Sequence, residues 1–314
     1  MLQIVVRTVV VLACSLTPSA WGALMVDINS SGANNETTTQ PGFIGVARPG
    51  ATGLVTDIGT IDVAIARGPG SGTLQDRDRG LPATDPNQPL ARLLRDFVYS
   101  QVAPHPNGAI DTTVTGLNPG TYLLTTYHHD TNVDHITNDL AISTDGGTIF
   151  ETVVEDALIS TGPNPLEAGR AWAPFTIGAG QSLVFRLIGD GGQVGATNDV
   201  ETAVFSGFVI EPFTMFGDFN LDGEVTAADF FVLAGTLGTH LDGNFVGYAG
   251  GDMNLDGKVD LYDFDNFKVT FPAAFAAAMA SNVPEPASIV VSLLAVGGLM
   301  GVGRYRQRSA TSCR

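Results

Sequence analysis

Cysteine is nearly missing from this chain: two in 314 residues, Cys14 and Cys313, one close to each end. That placement excludes an internal disulfide framework, which a secreted domain of this size does not need. Basic residues are scarce as well, 15 Lys and Arg against 32 Asp and Glu. Five of them, Arg7, Arg304, Arg306, Arg308 and Arg314, sit in the end segments. The span 23–303 therefore holds ten basic residues against all 32 acidic ones, a net charge of −22. Nucleic-acid binders are basic, so that partner class is set aside. The apolar run near the carboxyl end, Ile289 to Val302, has fourteen residues, short of the ~20 that span a bilayer as a plain anchor. Gly-x-Ser-x-Gly, His-Glu-x-x-His and phosphate-loop motifs are all absent, which removes the most legible hydrolase and nucleotide signatures.

What the chain does have is a duplication. Asp218-Phe-Asn220-Leu-Asp222-Gly223-Glu224-Val225-Thr226-Ala-Ala-Asp229 recurs 34 residues later as Asp252-Met-Asn254-Leu-Asp256-Gly257-Lys258-Val259-Asp260-Leu-Tyr-Asp263. Oxygen side chains occupy the first, third, fifth and twelfth places, and glycine the sixth. A hard cation wants six to eight oxygens at about 2.3–2.6 Å, and this spacing wraps a chain around one. The seventh place contributes a backbone carbonyl, so Glu224 and Lys258 are interchangeable there. Glycine at the sixth place permits the sharp turn. A single Asp-x-Asn-x-Asp-Gly reads equally well as an acidic turn; two full copies do not. The twelfth residue is Asp, where an ordinary EF-hand has Glu. Pro212 to Gly217 leaves no room for an entering helix. Only exiting helices are expected, capped by Thr226 with Asp229 and by Asp260 with Asp263. Phe230, Leu233, Ala234 and Leu237 line one apolar helical face, and Leu261, Phe264 and Phe267 another. So small a unit needs its ions to fold.

From Phe216 to Phe271 the chain resembles a type I dockerin, a module that binds two calcium ions and plugs into cohesin domains of polysaccharide-degrading assemblies. The resemblance implies the ligands Asp218, Asn220, Asp222, Glu224 (carbonyl) and Asp229, then Asp252, Asn254, Asp256, Lys258 (carbonyl) and Asp263, and a cohesin-like partner. The tenth and eleventh places help choose the cohesin in that family. They are Ala227-Ala228 in one repeat and Leu261-Tyr262 in the other, which argues against symmetric docking.

Residues 1–23 read as a secretory signal: Arg7, an apolar stretch from Thr8 to Leu16, and Ala20-Trp21-Gly22 for cleavage. Cys14 follows too short an apolar run for a lipid-attachment box. At the other end, Val283-Pro284-Glu285-Pro286, the apolar run and the arginines of 283–314 resemble a PEP-CTERM sorting signal. That resemblance implies recognition by an exosortase and a cell-surface or extracellular location in a Gram-negative-type bacterium. Residues 273–282, rich in alanine, are expected to be a tether.

The remaining span, 24–212, suits one domain. Its short β-rich stretches, separated by Gly, Pro, Asn and Asp turns, predict strands near 24–28, 60–66, 110–115, 121–129, 139–144, 148–154, 171–177, 182–188 and 202–211. One helix is expected, Leu90 to Tyr99, with Leu90, Leu93, Leu94 and Phe97 on a face. The fold class is thus mainly β, a jelly-roll β-sandwich followed by a small α-helical dockerin domain of two loop-helix repeats. Val26-Asp27-Ile28-Asn29, Gly116 to Tyr122 and Phe205 to Glu211 resemble segments of galactose-binding-like jelly rolls, including malectin-type modules.

Candidate ligand-binding residues in this domain are His128, His129, Asp130 and His135, and Arg77 and Arg79 in a long loop 67–89. Adjacent strand residues face opposite ways, so His128 and His129 fit a hydrogen-bonded strand end better than one shared metal. Asp78 and Asp96 are ion-pair partners on hand for Arg77, Arg79, Arg92 and Arg95. Trp172, in Ala-Trp-Ala-Pro-Phe at a strand start, reads as core before it reads as a sugar platform. The resulting expectation is an exported, non-catalytic protein: a calcium-binding module for cohesin-type assembly joined to a sandwich that binds carbohydrate. Two rivals stand beside it. One is a dockerin-bearing polysaccharide hydrolase, an O-glycosyl hydrolase with paired carboxylates about 5–9.5 Å apart; the other is an adhesive matrix protein without a small ligand.

Overall fold

The computed structural model describes residues 22–30, 39–79, 90–100, 108–130, 137–161, 168–190, 202–238 and 247–282. His135, part of the 67–89 loop, nearly all of the 1–23 segment and all of 283–314 lie outside them. Among the described residues no helix is long and apolar enough to cross a membrane.

Among the described residues fifteen strands run in order: β1 Leu24–Asn29, β2 Ile44–Ala47, β3 Gly50–Thr56, β4 Gly59–Arg67, β5 Leu74–Asp78, β6 Asp96–Ser100, β7 Ala109–Leu117 and β8 Gly120–Asp130. Then come β9 Thr137–Ser143, β10 Glu151–Leu158, β11 Ser160–Thr161, β12 Gly169–Ile177, β13 Leu183–Asp190, β14 Val204–Phe205 and β15 Gly207–Pro212. One six-stranded sheet has the order β11-β8-β15-β1-β2, with β12 also on β8; a second runs β10-β9-β13-β7-β4-β3. The chain alternates between them, β7 in one, β8 in the other, β9 back again, which makes a β-sandwich. Its shared core holds Val26 and Ile28 of β1, Ile61, Val63 and Ile65 of β4, Leu124 of β8, Phe175 of β12, Phe185 and Leu187 of β13, and Phe208 and Ile210 of β15. Period-two burial along β4 and β12 follows from one face meeting that core and the other meeting water.

β8 breaks the alternation: from Tyr122 onward every residue is buried. Leu124 points into the sandwich, but Leu123 belongs to a second apolar cluster and Tyr127 to a third. Both faces of β8 are covered, so its polar residues are enclosed along with its apolar ones.

The third cluster corrects a sequence expectation. Residues 90–95 form a turn, with Leu94 N–H donating to the Leu90 carbonyl and Arg95 N–H to that of Arg92, and 96–100 is a strand rather than the end of a helix. Leu90, Leu93 and Leu94 are buried against Tyr127 and Val209. Their helical spacing comes from one tight turn. After it, Phe97, Val98 and Tyr99 are aromatic and β-branched and pair with β5 and β14 in a three-stranded sheet. Arg77 and Asp78 likewise lie on β5, with Arg79 just past its end, and not in a loop. The strand expected at 148–154 begins at Glu151, and β2, β3, β5, β6 and β11 were not foreseen.

Beyond Pro212 the second cluster forms a helical unit. It has α1 Ala227–Thr236, a 3-10 turn at Tyr248–Gly250, α2 Leu261–Thr270 and α3 Pro272–Asn282. α3 replaces the expected tether. Ala274 and Ala278 are buried, and the Phe275 ring stands edge-on to Phe230 at 5.3 Å and Phe264 at 5.5 Å. Each such pair contributes about 0.5–1.5 kcal/mol beyond area burial. Phe230, Leu233 and Phe267 are buried as expected, whereas Ala234, Leu237 and Leu261 face solvent. The third helix covers α1 and α2 on one side only, so the buried stripe is narrower than their apolar pattern.

Candidate functional site

The duplicated segments form two loops of the same backbone shape. Leu221 and Leu255, both at the fourth place, adopt φ of 60° and 61°, and Gly223 and Gly257 at the sixth adopt 91° and 87°. A leucine in the left-handed region costs about 1–2 kcal/mol. Its appearance at the same place in both copies marks a turn that the loop's interior requires.

Hydrogen bonding repeats too. The first aspartate accepts from the N–H of the fifth and sixth residues: Asp222 to Asp218 Oδ1 at 3.1 Å and Gly223 to Asp218 Oδ2 at 2.8 Å, Asp256 to Asp252 Oδ1 at 3.1 Å and Gly257 to Asp252 Oδ2 at 2.7 Å. The twelfth aspartate reaches back across the loop. Asp229 Oδ1 accepts from Phe219 N at 2.8 Å and Asn220 N at 3.1 Å, and Asp263 Oδ1 from Met253 N at 2.8 Å and Asn254 N at 3.3 Å. The other oxygen of each completes a capping box, with Thr226 N at 2.8 Å and Asp260 N at 2.9 Å. No entering helix precedes the first loop.

Asp218, Asp229, Asp252 and Asp263 are all fully buried. Burial, then the neighbouring Asp256 and Asp263, holds the Asp252 carboxyl well above the usual carboxylate range; Asp256 and Asp263 are raised chiefly by burial as well. Gathering carboxylates out of water is costly without positive charge among them. Among the described residues, no three His, Cys, Asp or Glu side chains are drawn close enough to hold an ion by themselves. The donor set in each loop is mixed, adding an asparagine and a carbonyl, and the Asp252 oxygens, which accept one N–H each, keep a second lone pair. All-oxygen donors of this kind suit a hard divalent cation.

The helical unit is not a free appendage. Tyr248 is fully buried at the seam among Phe213, Phe216 and Phe219, at centroid distances of 5.4, 5.5 and 5.3 Å; its hydroxyl donates to the Met215 carbonyl at 3.0 Å and accepts from Gly217 N–H. Glu211 of β15 accepts from Tyr248 N at 3.0 Å and Ala249 N at 3.3 Å. It is 4% exposed, and burial raises its carboxyl to about 7 against these bonds. Arg170 of β12 donates from Nε to the Asn254 carbonyl at 2.6 Å.

The sandwich candidates do not converge. His128 is buried, bonded through Nε2 to Thr126 Oγ1 at 2.9 Å, and burial alone lowers it to about 3, so it stays neutral. His129 Nδ1 pairs with Ser160 Oγ at 2.9 Å. Asp130 receives a two-pronged bond from Arg79 at 2.8 and 3.0 Å. Arg77 donates to Tyr99 Oη at 2.8 Å and lies over its ring, while Asp78 pairs with Arg95. His128, His129 and Asp130 are buried, the arginines are half-buried and paired with acids or an aromatic ring, and His128 Nδ1 is left without a hydrogen-bond partner among the described residues. Trp172, expected in the core, stands 38% exposed on the outer face of β12 with its edge to Phe216 at 4.8 Å. Sequence reasoning missed Arg170, Glu211 and Tyr248. A buried acid on a terminal strand gives no local sign of the N–H groups it caps 37 residues away.

No protein-family model and no curated protein matches the chain. Among solved structures it is similar to a family 35 carbohydrate-binding module from Clostridium thermocellum, at 11% identity and TM-score 0.28, over 48% of this chain and 92% of that one. It is similar to TmCBM61 in complex with β-1,4-galactotriose at 10% and 0.28, over 48% and 88%. It is also similar to the CBM22-1 xylan-binding domain of Paenibacillus barcinonensis Xyn10C at 9% and 0.29, over 47% and 84%.

Proposed function

We propose that this is an exported, non-catalytic binding protein whose helical unit is a dockerin-type module taking two calcium ions, fixed on a β-sandwich that binds a carbohydrate polymer. The observation that carries the reading is the double set of buried aspartates, Asp218 with Asp229 and Asp252 with Asp263, in matching strained loops. Calcium between them supplies the charge that enclosed carboxylates need, through Asp218, Asn220, Asp222, Glu224 carbonyl and Asp229, and through Asp252, Asn254, Asp256, Lys258 carbonyl and Asp263. Leu261 and Tyr262, 71% and 73% exposed, offer a cohesin-like partner an apolar contact that Ala227 and Ala228 do not. Half-exposed Trp172 offers a sugar face a stacking surface. The end segments direct export and exosortase-dependent sorting to the cell surface.

Calcium titration of the full chain by calorimetry, with melting recorded in calcium and in chelator, tests the reading. Uptake of two ions and a higher melting temperature in calcium are expected. No uptake at millimolar calcium, or equal melting in chelator, overturns it.

A further inference from the structure

The two loops have unlike surroundings. In the first, Asp222, Gly223 and Glu224 at the fifth to seventh places are exposed; in the second, Asp256 and Gly257 are buried and Lys258 is half-buried. The second loop lies against the sandwich, where Arg170 binds the Asn254 carbonyl.

Charge differs as well. The first loop carries Asp218, Asp222, Glu224 and Asp229 and no base, and among the described residues no lysine or arginine forms an ion pair with any of the four. The second carries Asp252, Asp256, Asp260 and Asp263, but Lys258 Nζ lies 3.3 Å from Asp256 Oδ2 and 3.4 Å from Asp260 Oδ2. The first loop thus presents a formal charge of −4. The second presents −3 from its own residues and −2 with Arg170, part of the ion's electrostatic place being already filled.

We propose that the loops take calcium unequally: the solvent-facing first loop tightly, and the second weakly, because Lys258 and Arg170 stand in for part of the ion while the sandwich holds that loop in shape. The proposal rests on the calcium reading above. Ligand charge and site rigidity both set affinity in such loops. Here they oppose one another, and a base on a ligand carboxylate that must yield to a doubly charged ion is the larger effect.

Calorimetric calcium titration of the full chain resolves the two steps. We expect dissociation constants at least about tenfold apart, with Asp222→Asn weakening only the tighter step and Asp256→Asn only the weaker. Lys258→Glu, which copies Glu224 and leaves the ligating carbonyl in place, is expected to tighten the weaker step about tenfold or more, and Lys258→Gln by less. This graded response depends on charge and would not follow from a purely structural role. Two indistinguishable sites, or a Lys258→Glu chain with both steps unchanged, overturn the inequality while leaving two-ion binding intact. Absence of any uptake overturns both.

Discussion

Glu211→Gln isolates the energetics of the seam. In the native chain the carboxyl is raised from 4.5 to about 7 by burial. The folded state therefore holds a proton between those values that the unfolded state has released. The stabilisation is complete below about pH 4.5, declines as pH rises and is gone above about 7. At 1.36 kcal/mol per unit, the span is worth about 3 kcal/mol. Glutamine resembles the protonated acid: one oxygen still accepts from Tyr248 or Ala249, and no charge is desolvated. The variant should melt within a degree or two of the native chain at pH 4.5. At pH 8 it should melt higher by up to about 6–12 °C, taking about 2–4 °C per kcal/mol for a protein of this size. The assay is calorimetric or circular-dichroism melting of both chains across that range at saturating calcium, reading only the difference so that other titrating groups cancel. Glu211→Ala, which orphans two buried N–H groups, should be destabilised at every pH. A native-minus-Gln difference that does not vary from pH 4.5 to 8 would refute the reasoning.

Asp96 has the same sign: buried, and raised to about 7 by burial and then by Asp78. Asp96→Asn should stabilise the chain above pH 7 by roughly 2–4 kcal/mol and not at pH 4; melting at the two pH values checks this. Phe275→Ala removes the ring between Phe230 and Phe264 and should cost the helical unit about 2–3 kcal/mol even with calcium bound. Urea unfolding followed by tyrosine and tryptophan fluorescence would read it, and an unchanged midpoint would mean that α3 contributes little.

The loops were legible because every residue that shapes them lies within twelve positions, so ligand type, glycine and cap appear in one window. β8 was legible for a similar reason: Gly120 to His128 is rich in β-branched and aromatic residues. Leu90 to Tyr99 misled because apolar spacing cannot tell a helix from a buried turn that enters a strand. What decides it is the pairing of Phe97 with Arg77 and of Val98 with Phe205, and nothing near residue 97 records that. Residues 273–282 misled in the opposite way. Alanine makes little amphipathic contrast, yet small side chains let α3 approach α1 closely enough for Phe275 to lodge between two rings. The docking of the second loop was hidden because Arg170 precedes Asn254 by 84 residues.

β15 lies between β1 and β8 and hydrogen-bonds to both, and its last residue, Pro212, leads straight into Phe213 at the seam. A pull applied to the helical unit at Phe213 therefore passes directly into β15. It loads both ladders of β15 in shear, the direction in which many hydrogen bonds must fail together rather than one after another. Whatever the helical unit holds is kept at a fixed angle to the sandwich, as a bracket holds a shelf.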